Sequence, residues 1–251
     1  MTRGRTFGSV ASTYERFRPG YPDQIVAEVA AYAERRIRSA LEIGAGTGKA
    51  TRLFAAHGVS VTATEPDAAM LEQLRKHVPE SVTTVCASFE DLAPSTPYDL
   101  VYAAAALHWT TPEQRWARIA ALLAPHGVFA CFGGPIRLSD PELETAVRTA
   151  RAPWVADDDI PSPDATPAGG AMQWPGTELV QSELFTDVRQ SSIERRLALS
   201  AREYLGQLST ISAYLVLPEP DRLRAFEAIR KVLPSTVAVS ADLMLHLARL
   251  A

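Results

Sequence analysis

Leu41-Glu42-Ile43-Gly44-Ala45-Gly46-Thr47-Gly48-Lys49 is the stretch on which the fold turns. The apolar run Ala40–Gly44 reads as a short strand. Glycines then recur at alternate positions, and Lys49–Ala56 reads as a helix that Gly58 is placed to end. A glycine-rich turn between strand and helix lets the backbone reverse sharply and lets a ligand approach with no Cβ in the way. In an open α/β sheet such a turn lies at the C-terminal end of the strand, where the binding crevice opens.

Working outward, Val59–Glu65 alternates β-branched and small residues as a second strand. Pro66–Val78 is expected to be a helix, with Pro66 in its first turn and Met70, Leu71 and Leu74 at helical spacing. Thr83–Ser88, Tyr98–Ala104 and Gly127–Gly133 read as further strands. Thr111–Ala124 reads as a helix with Trp116, Ile119, Leu122 and Leu123 on one face. Strands separated by helices imply parallel βαβ units with right-handed crossovers and helices on both faces. After Gly134 the pattern changes. Residues 135–176 are rich in Pro, Asp, Ala and Gly and form the least regular part of the chain, though Trp154, Met172 and Trp174 argue against a plain solvated linker. From Asp187 a strand-like run leads to amphipathic helices at 201–217 and 219–233, and Val237–Leu247 alternates as a half-buried strand. The two long strands are expected to pair as an antiparallel edge on the parallel sheet. The expected organisation is one domain: an N-terminal helical cap (1–38), a cofactor-binding core (39–134), a lid or insert (135–186), and edge strands with a helical insert (187–251).

The glycine spacing separates two cofactors. A dinucleotide fingerprint, G-x-G-x-x-G, requires its third glycine at position 49, which is Lys49; the third glycine here is Gly48. A pyrophosphate needs the free N–H groups of a helix N-terminus. S-adenosylmethionine has no phosphate, and needs room for its amino-acid tail and acceptors for its ammonium and sulfonium charges. Glu42, at the head of the turn, suits that need better than a pyrophosphate, although such a Glu often braces the turn. Glu65 ends the second strand about twenty residues on, where a carboxylate accepts both hydroxyls of a ribose. The alternative, an acid at a helix start before Pro66-Asp67, is the weaker reading beside the glycine turn.

The composition narrows the function classes. The chain of 251 residues carries 47% hydrophobic and 22% charged residues, as an ordinary globular protein does. A net charge of −4 gives no electrostatic pull toward nucleic acid or anionic membrane. Cys86 and Cys131 sit in apolar runs without metal or redox spacing, and are expected to be buried free thiols in a reducing compartment. The first residues lack the apolar stretch of a signal peptide, and no apolar run is long enough to span a bilayer, so a cytoplasmic location is expected. Asp157-Asp158-Asp159 with Asp164 reads as a solvated acidic turn rather than a magnesium cluster, and His57, His77, His126 and His246 are scattered, so no metal is expected.

Taken together, LEIGAGTGKATRLFAAHG, VTATEPDAAMLEQLR, ASFEDL, YDLVYAAAALHW and LLAPHGVFACF resemble the class I S-adenosylmethionine-dependent methyltransferases. Within them the chain looks most like the small-molecule group that includes trans-aconitate methyltransferase, whose opening segment FGSVASTYERFRPGYP also resembles. The match covers residues 7–134 well, 187–250 in general architecture, and 135–186 hardly at all. The resemblance implies a Rossmann-like methyltransferase sheet, mostly parallel with an antiparallel edge strand, and helical lid elements. It implies S-adenosylmethionine as cofactor, leaving as S-adenosylhomocysteine. Gly44, Ala45, Gly46 and Gly48 would line the methionine part, and Glu65 would hold the ribose with Pro66 beside it. In ASFEDL the family's acidic residue for the adenine amino group is replaced by Ser88, followed by Phe89, with Glu90 as the substitute to test. Ala104 would offer a backbone carbonyl near the ammonium. Tyr14, Arg18 and Tyr21 would close over cofactor or substrate; for Arg18 an exposed surface charge is the competing reading.

Methyl transfer from a sulfonium is an in-line displacement with a neutral leaving group, so alignment of nucleophile and methyl carbon is the main contribution. A general base matters only where the nucleophile must lose a proton. His108 is the candidate to orient or deprotonate a substrate group, with Trp109 as an apolar wall; the alternative is a helix cap and a core ring. Trp154, Met172, Trp174 and Tyr204 are candidate walls for a small organic acceptor held under a lid, methylated on oxygen or nitrogen. Arg137, Arg195 or Arg196 would suit a carboxylate. Monomer and homodimer both remain open. Two rivals are a non-catalytic S-adenosylmethionine-binding regulator, which Ser88 supports, and a nicotinamide-dependent oxidoreductase, which the glycine spacing and the lack of a Tyr-x-x-x-Lys pair oppose.

Overall fold

The computed structural model describes residues 7–92, 96–158, 161–167 and 169–251. In chain order these form α1 (Ala11–Phe17), α2 (Gln24–Ala33), β1 (Ser39–Ile43), α3 (Lys49–Ala56), β2 (Ser60–Thr64), α4 (Ala68–His77), β3 (Thr83–Val85), β4 (Tyr98–Ala104), α5 (Arg115–Leu122) and β5 (Leu123–Gly133). There follow β6 (Arg137–Leu138), α6 (Pro141–Arg151), α7 (Gly176–Gln181), β7 (Phe185–Ile193), β8 (Arg196–Ser200), α8 (Ala201–Leu208), α9 (Ser212–Leu215), α10 (Glu219–Val232), β9 (Thr236–Ser240) and β10 (Leu243–Leu250). They fall into two compact units. One takes residues 20–133, 161–193 and 244–251; the other takes the N-terminal segment to 19, 134–160 and 194–243. The segments expected at 1–38, 135–186 and 187–251 each divide between them.

The larger unit holds a seven-stranded sheet in the order β3-β2-β1-β4-β5-β10-β7. β1 pairs in parallel with β2 and β4, β2 with β3, and β4 with β5, whereas β10 is antiparallel to β5. This is the mostly parallel sheet with an antiparallel end that the sequence predicts. Strand alternation divides its core in two. Leu41, Ile43, Val101, Ala103, Phe129 and Cys131 form one cluster with Ile119 and Leu122 of α5, Leu179 of α7 and Phe185. The intervening residues point the other way, where Phe54 of α3 packs on Tyr102 at 4.4 Å and Tyr21 meets Phe132 edge-on at 5.0 Å. A large, fully buried side chain such as Phe54, Phe129 or Ile119 contributes roughly 1.5–3 kcal/mol.

The smaller unit has its own three-stranded sheet, β6-β9-β8, both pairings antiparallel. Leu138, Val147, Tyr204, Leu208, Tyr214, Ile229, Val237 and Val239 form its core, with Trp154 packed against it. Helix α6 was not expected in the irregular stretch, although its start is written there. Asp140 accepts from the N–H groups of Glu142 and Leu143, and Pro141 stands at the first helical position.

Several expected boundaries move, each for a local reason. Pro66 lies outside its helix, because Asp67 caps α4 by accepting from Ala69 and Met70. The helix expected at Thr111–Ala124 begins only at Arg115, after Gln114 at φ 58°, and Leu123 already belongs to β5. The expected strand Val237–Leu247 is two strands in different sheets. The break falls at Asp242, whose carboxylate accepts from Arg195 N–H, Ser240 and Arg196. The acidic run is not a solvated turn at Asp158, which pairs with the buried Arg151; Asp159 lies outside the described residues. Cys131 is buried, but Cys86 is exposed. Among the described residues no helix is long and apolar enough to cross a membrane, and no three His, Cys, Asp or Glu side chains gather as a metal site.

Candidate active site

Sheet register assembles the site. Ile43 pairs with Thr64 and with Ala103, and Thr64 pairs with Val85, so the C-terminal ends of β1, β2, β3 and β4 stand in one row. The segments that leave those ends, 44–48, 65–67, 86–90 and 104–109, therefore share one edge of the sheet.

In the glycine turn Gly44, Gly46 and Gly48 all have positive φ, at 65°, 57° and 84°. The turn closes through Ala45 N–H to the Thr64 carbonyl (2.9 Å) and Gly48 N–H to the Ala45 carbonyl (2.9 Å). A Cβ on Gly44 would lie 2.7 Å from Cβ of Ala106, so this glycine admits the loop after β4 as well as a positive φ.

Two carboxyls flank the turn in different ways. Glu42 is buried against α3, and its Oε2 accepts from Thr51 Oγ1 (2.5 Å) and Tyr102 OH (2.9 Å). Burial pushes its carboxyl up to about 8, against the lowering effect of those two donors. In this geometry Glu42 braces the strand against the helix. Glu65 accepts from Gly46 N–H on Oε2 and from Asp67 N–H on Oε1, both at 2.9 Å. Burial raises its pKa, while the two N–H groups oppose the shift. Pro66 beside it is half-buried.

After β3, Ser88 donates to Asp91 (2.6 Å), and Phe89 is buried with Arg118 over its ring. The Glu90 carboxylate accepts from Thr111 N–H at 2.8 Å, so it ties this turn to the one after β4. Past β4, Ala104 is half-buried and Ala105 takes φ 53° while donating to the Phe132 carbonyl (2.8 Å). A short 3-10 turn, Leu107–Trp109, then carries His108 with its ring 4.6 Å from that of Trp109, which is 38% exposed. Among the described residues, His108 Nε2 is buried with no hydrogen-bond partner. Burial, reinforced by the Arg115 charge, lowers its pKa to about 4, so the ring is neutral at ordinary pH. Trp174 packs against the core of the same unit, and its indole Nε1 is also buried without a partner among the described residues.

The remaining expected residues lie elsewhere. Tyr21 belongs to the larger unit, in its contact with Phe132. Tyr14, Arg18, Trp154 and Tyr204 belong to the smaller one. There Arg18 is no free surface charge: it stacks on Tyr14 and donates to Thr210 Oγ1 at 2.8 Å. Sequence reasoning did not single out Arg115, a 2% exposed cation bonded to Thr110 and Glu178. Nothing local marks it, since its partners come from a turn and from a distant helix.

Residues 41–131 match the model of the methyltransferase domain family. An uncharacterized methyltransferase of Mycobacterium tuberculosis is 28% identical over 236 residues, which is 94% of this chain and 88% of that protein. A solved structure from Anaeromyxobacter dehalogenans, assigned as a type II methyltransferase, is similar with a TM-score of 0.66 at 25% identity, over 93% of this chain and 98% of that one. This chain is a class I S-adenosylmethionine-dependent methyltransferase. The trans-aconitate 2-methyltransferase of Variovorax paradoxus is 34% identical over 154 residues, 56% of this chain and 53% of that protein, so the narrower likeness extends over about half of either.

S-adenosylmethionine is the methyl donor of this methyltransferase, and the residues present fit it. Each Glu65 oxygen holds one N–H, which leaves an acceptor position on each for a vicinal diol. The glycine turn that follows β1 carries no side chain larger than Thr47 before Lys49.

Proposed function

We propose that this methyltransferase acts on a small organic molecule of the kind used by the trans-aconitate methyltransferase group, at an oxygen or nitrogen. The observation that carries the reading is His108, a neutral ring with a buried, unpartnered Nε2 on the turn that leaves β4, beside the edge that holds Glu65. The partial likeness to trans-aconitate 2-methyltransferase supports the substrate class. When bound, S-adenosylmethionine supplies a sulfonium-borne methyl group whose departure leaves a neutral thioether. The chain's work is therefore to bind and align. Glu65 holds the ribose hydroxyls, and the Gly44–Gly48 backbone with Ala45 receives the amino-acid part. The Ala104 carbonyl meets its ammonium. Ser88 and Glu90 are already engaged with Asp91 and Thr111, so the adenine contact falls to the backbone N–H of Phe89. His108 orients the acceptor and takes its proton where it has one, and Trp109, Trp174 and Tyr21 supply apolar surface. The proposal rests on the larger unit alone; Tyr14, Arg18 and Trp154 carry none of it.

Calorimetric titration with S-adenosylmethionine and S-adenosylhomocysteine tests the cofactor assignments. Wild type is expected to bind both, and Glu65→Ala at least about 10-fold more weakly, the loss of charge-assisted hydrogen bonds. Glu65→Gln, which keeps one acceptor oxygen, is expected between them. Unaltered affinity in both variants would remove Glu65 from the site. For the acceptor, small carboxylic acids including trans-aconitate are offered with methyl-labelled donor; His108→Ala turning over as fast as wild type would sink the base role.

A further inference from the structure

Arg115 is a cation in the wrong place. It occupies the first position of α5, where the helix dipole disfavours positive charge, and it is only 2% exposed. A buried charge persists only when its hydrogen bonds are met, and those of Arg115 are specific. Nε donates to Thr110 Oγ1 and one terminal nitrogen to the Thr110 carbonyl, both at 2.8 Å. Thr110 in turn donates from its N–H (3.1 Å) and its hydroxyl (2.7 Å) to the Leu107 carbonyl, which closes the short turn that carries His108. The other terminal nitrogen reaches Glu178 of α7 at 3.4 Å, and Trp116 Nε1 donates to the same carboxylate oxygen at 2.8 Å. The guanidinium carbon also lies 5.3 Å from the centre of the Trp174 ring. One side chain thus braces the turn of His108 and the ring of Trp174, two of the groups whose buried nitrogens lack a partner among the described residues.

We propose that Arg115 is a positioning residue for methyl transfer: it clamps the His108 turn through Thr110 and fixes Trp174 through its guanidinium face and Glu178. The proposal rests on the reading that His108 meets the acceptor. Lysine cannot replace the clamp, because a single ammonium lacks the planar fork that engages Thr110 twice and stacks on an indole. Charged and titratable groups around the turn include Arg115 and Arg118 on α5, the latter donating to the Glu90 carbonyl, Glu178 on α7, Glu90 before β4 and Cys131 on β5, whose thiol burial raises to about 12.

The test is nuclear magnetic resonance on the unliganded protein, following amide exchange at Trp109 and Thr110, the Trp174 indole and the titration of the His108 ring. In Arg115→Met the two amides are expected to exchange about 10-fold faster or more, and His108 to titrate at higher pH because a neighbouring positive charge is gone. In Arg115→Lys the titration should stay near wild type while exchange still accelerates, which separates clamp from charge. Thr110→Val, which keeps the Arg115 charge but removes its Nε acceptor and the hydroxyl bond to the Leu107 carbonyl, should reproduce the faster exchange. Unchanged local exchange in Arg115→Met and Thr110→Val would overturn the proposal, as would acceleration spread evenly over β1, β4 and β5, the mark of a merely structural residue. Failure of the acceptor reading is read separately, from the His108→Ala turnover above.

Discussion

Glu42 is a carboxyl that the fold surrounds with hydroxyls and closes to water. Its pKa of about 8 exceeds that of the unfolded chain, near 4.5. Below 4.5 both states are protonated. Between 4.5 and 8 the unfolded state ionises and the folded state resists, so stability falls as pH rises through that window, by up to about 1.4 kcal/mol per pH unit. Glu42→Gln cannot ionise, and its amide oxygen still accepts from Thr51 and Tyr102. Relative to wild type it is expected to gain stability between pH 5 and pH 8, read as urea midpoints at both. A wild-type-minus-variant difference that does not change with pH would show that Glu42 is ionised in the folded state. The sequence favours Glu42 as a cofactor contact, with bracing as the competing reading. Its donors stand 9 and 60 residues away, at Thr51 and Tyr102, so only the strand–helix packing brings them together. Glu65 stands at a strand end, as its sequence position predicts, and there its carboxylate accepts from the Gly46 and Asp67 N–H groups.

At the scale of elements, glycines and periodicity made β1 to β4 and the intervening helices legible, and the errors sit where a single capping residue or turn conformation sets the boundary. Asp67 and Gln114 are such residues. The same logic makes the turns unequal. Gly44 and Gly58 both have positive φ, at 65° and 77°, yet a Cβ on Gly58 meets nothing within 4 Å while one on Gly44 would crowd Ala106. Gly58→Ala is expected to cost only the backbone strain, about 1 kcal/mol. Gly44→Ala should cost that and an overpacking penalty of roughly 1–3 kcal/mol, because the loop after β4 must move. Thermal unfolding of the two variants compares them directly. Equal losses would mean that the Ala106 contact is slack and that conformation alone selects glycine at position 44.

For the whole molecule, the expectation that failed was one continuous edge strand at the C-terminus. Val237, Val239, Leu243, Leu245 and Leu247 keep one alternation throughout, so the pattern passes straight through the break at Asp242. β6, of two residues, is too short to show any period, and the three-stranded sheet was invisible for both reasons. That sheet nonetheless organises a core of its own, and Ile229 on α10 is fully buried within it beside Val237 and Val239 of β9. Deleting its side chain beyond Cβ removes buried methyl and methylene groups and leaves a cavity, so Ile229→Ala is expected to cost about 2–5 kcal/mol. If the smaller unit is a core in its own right, the loss appears first as faster amide exchange in β8, β9 and α10. Protection of those amides at the wild-type level, with a stability loss under about 1 kcal/mol, would mean that Ile229 sits in a site able to collapse around the alanine and does not hold the small sheet together.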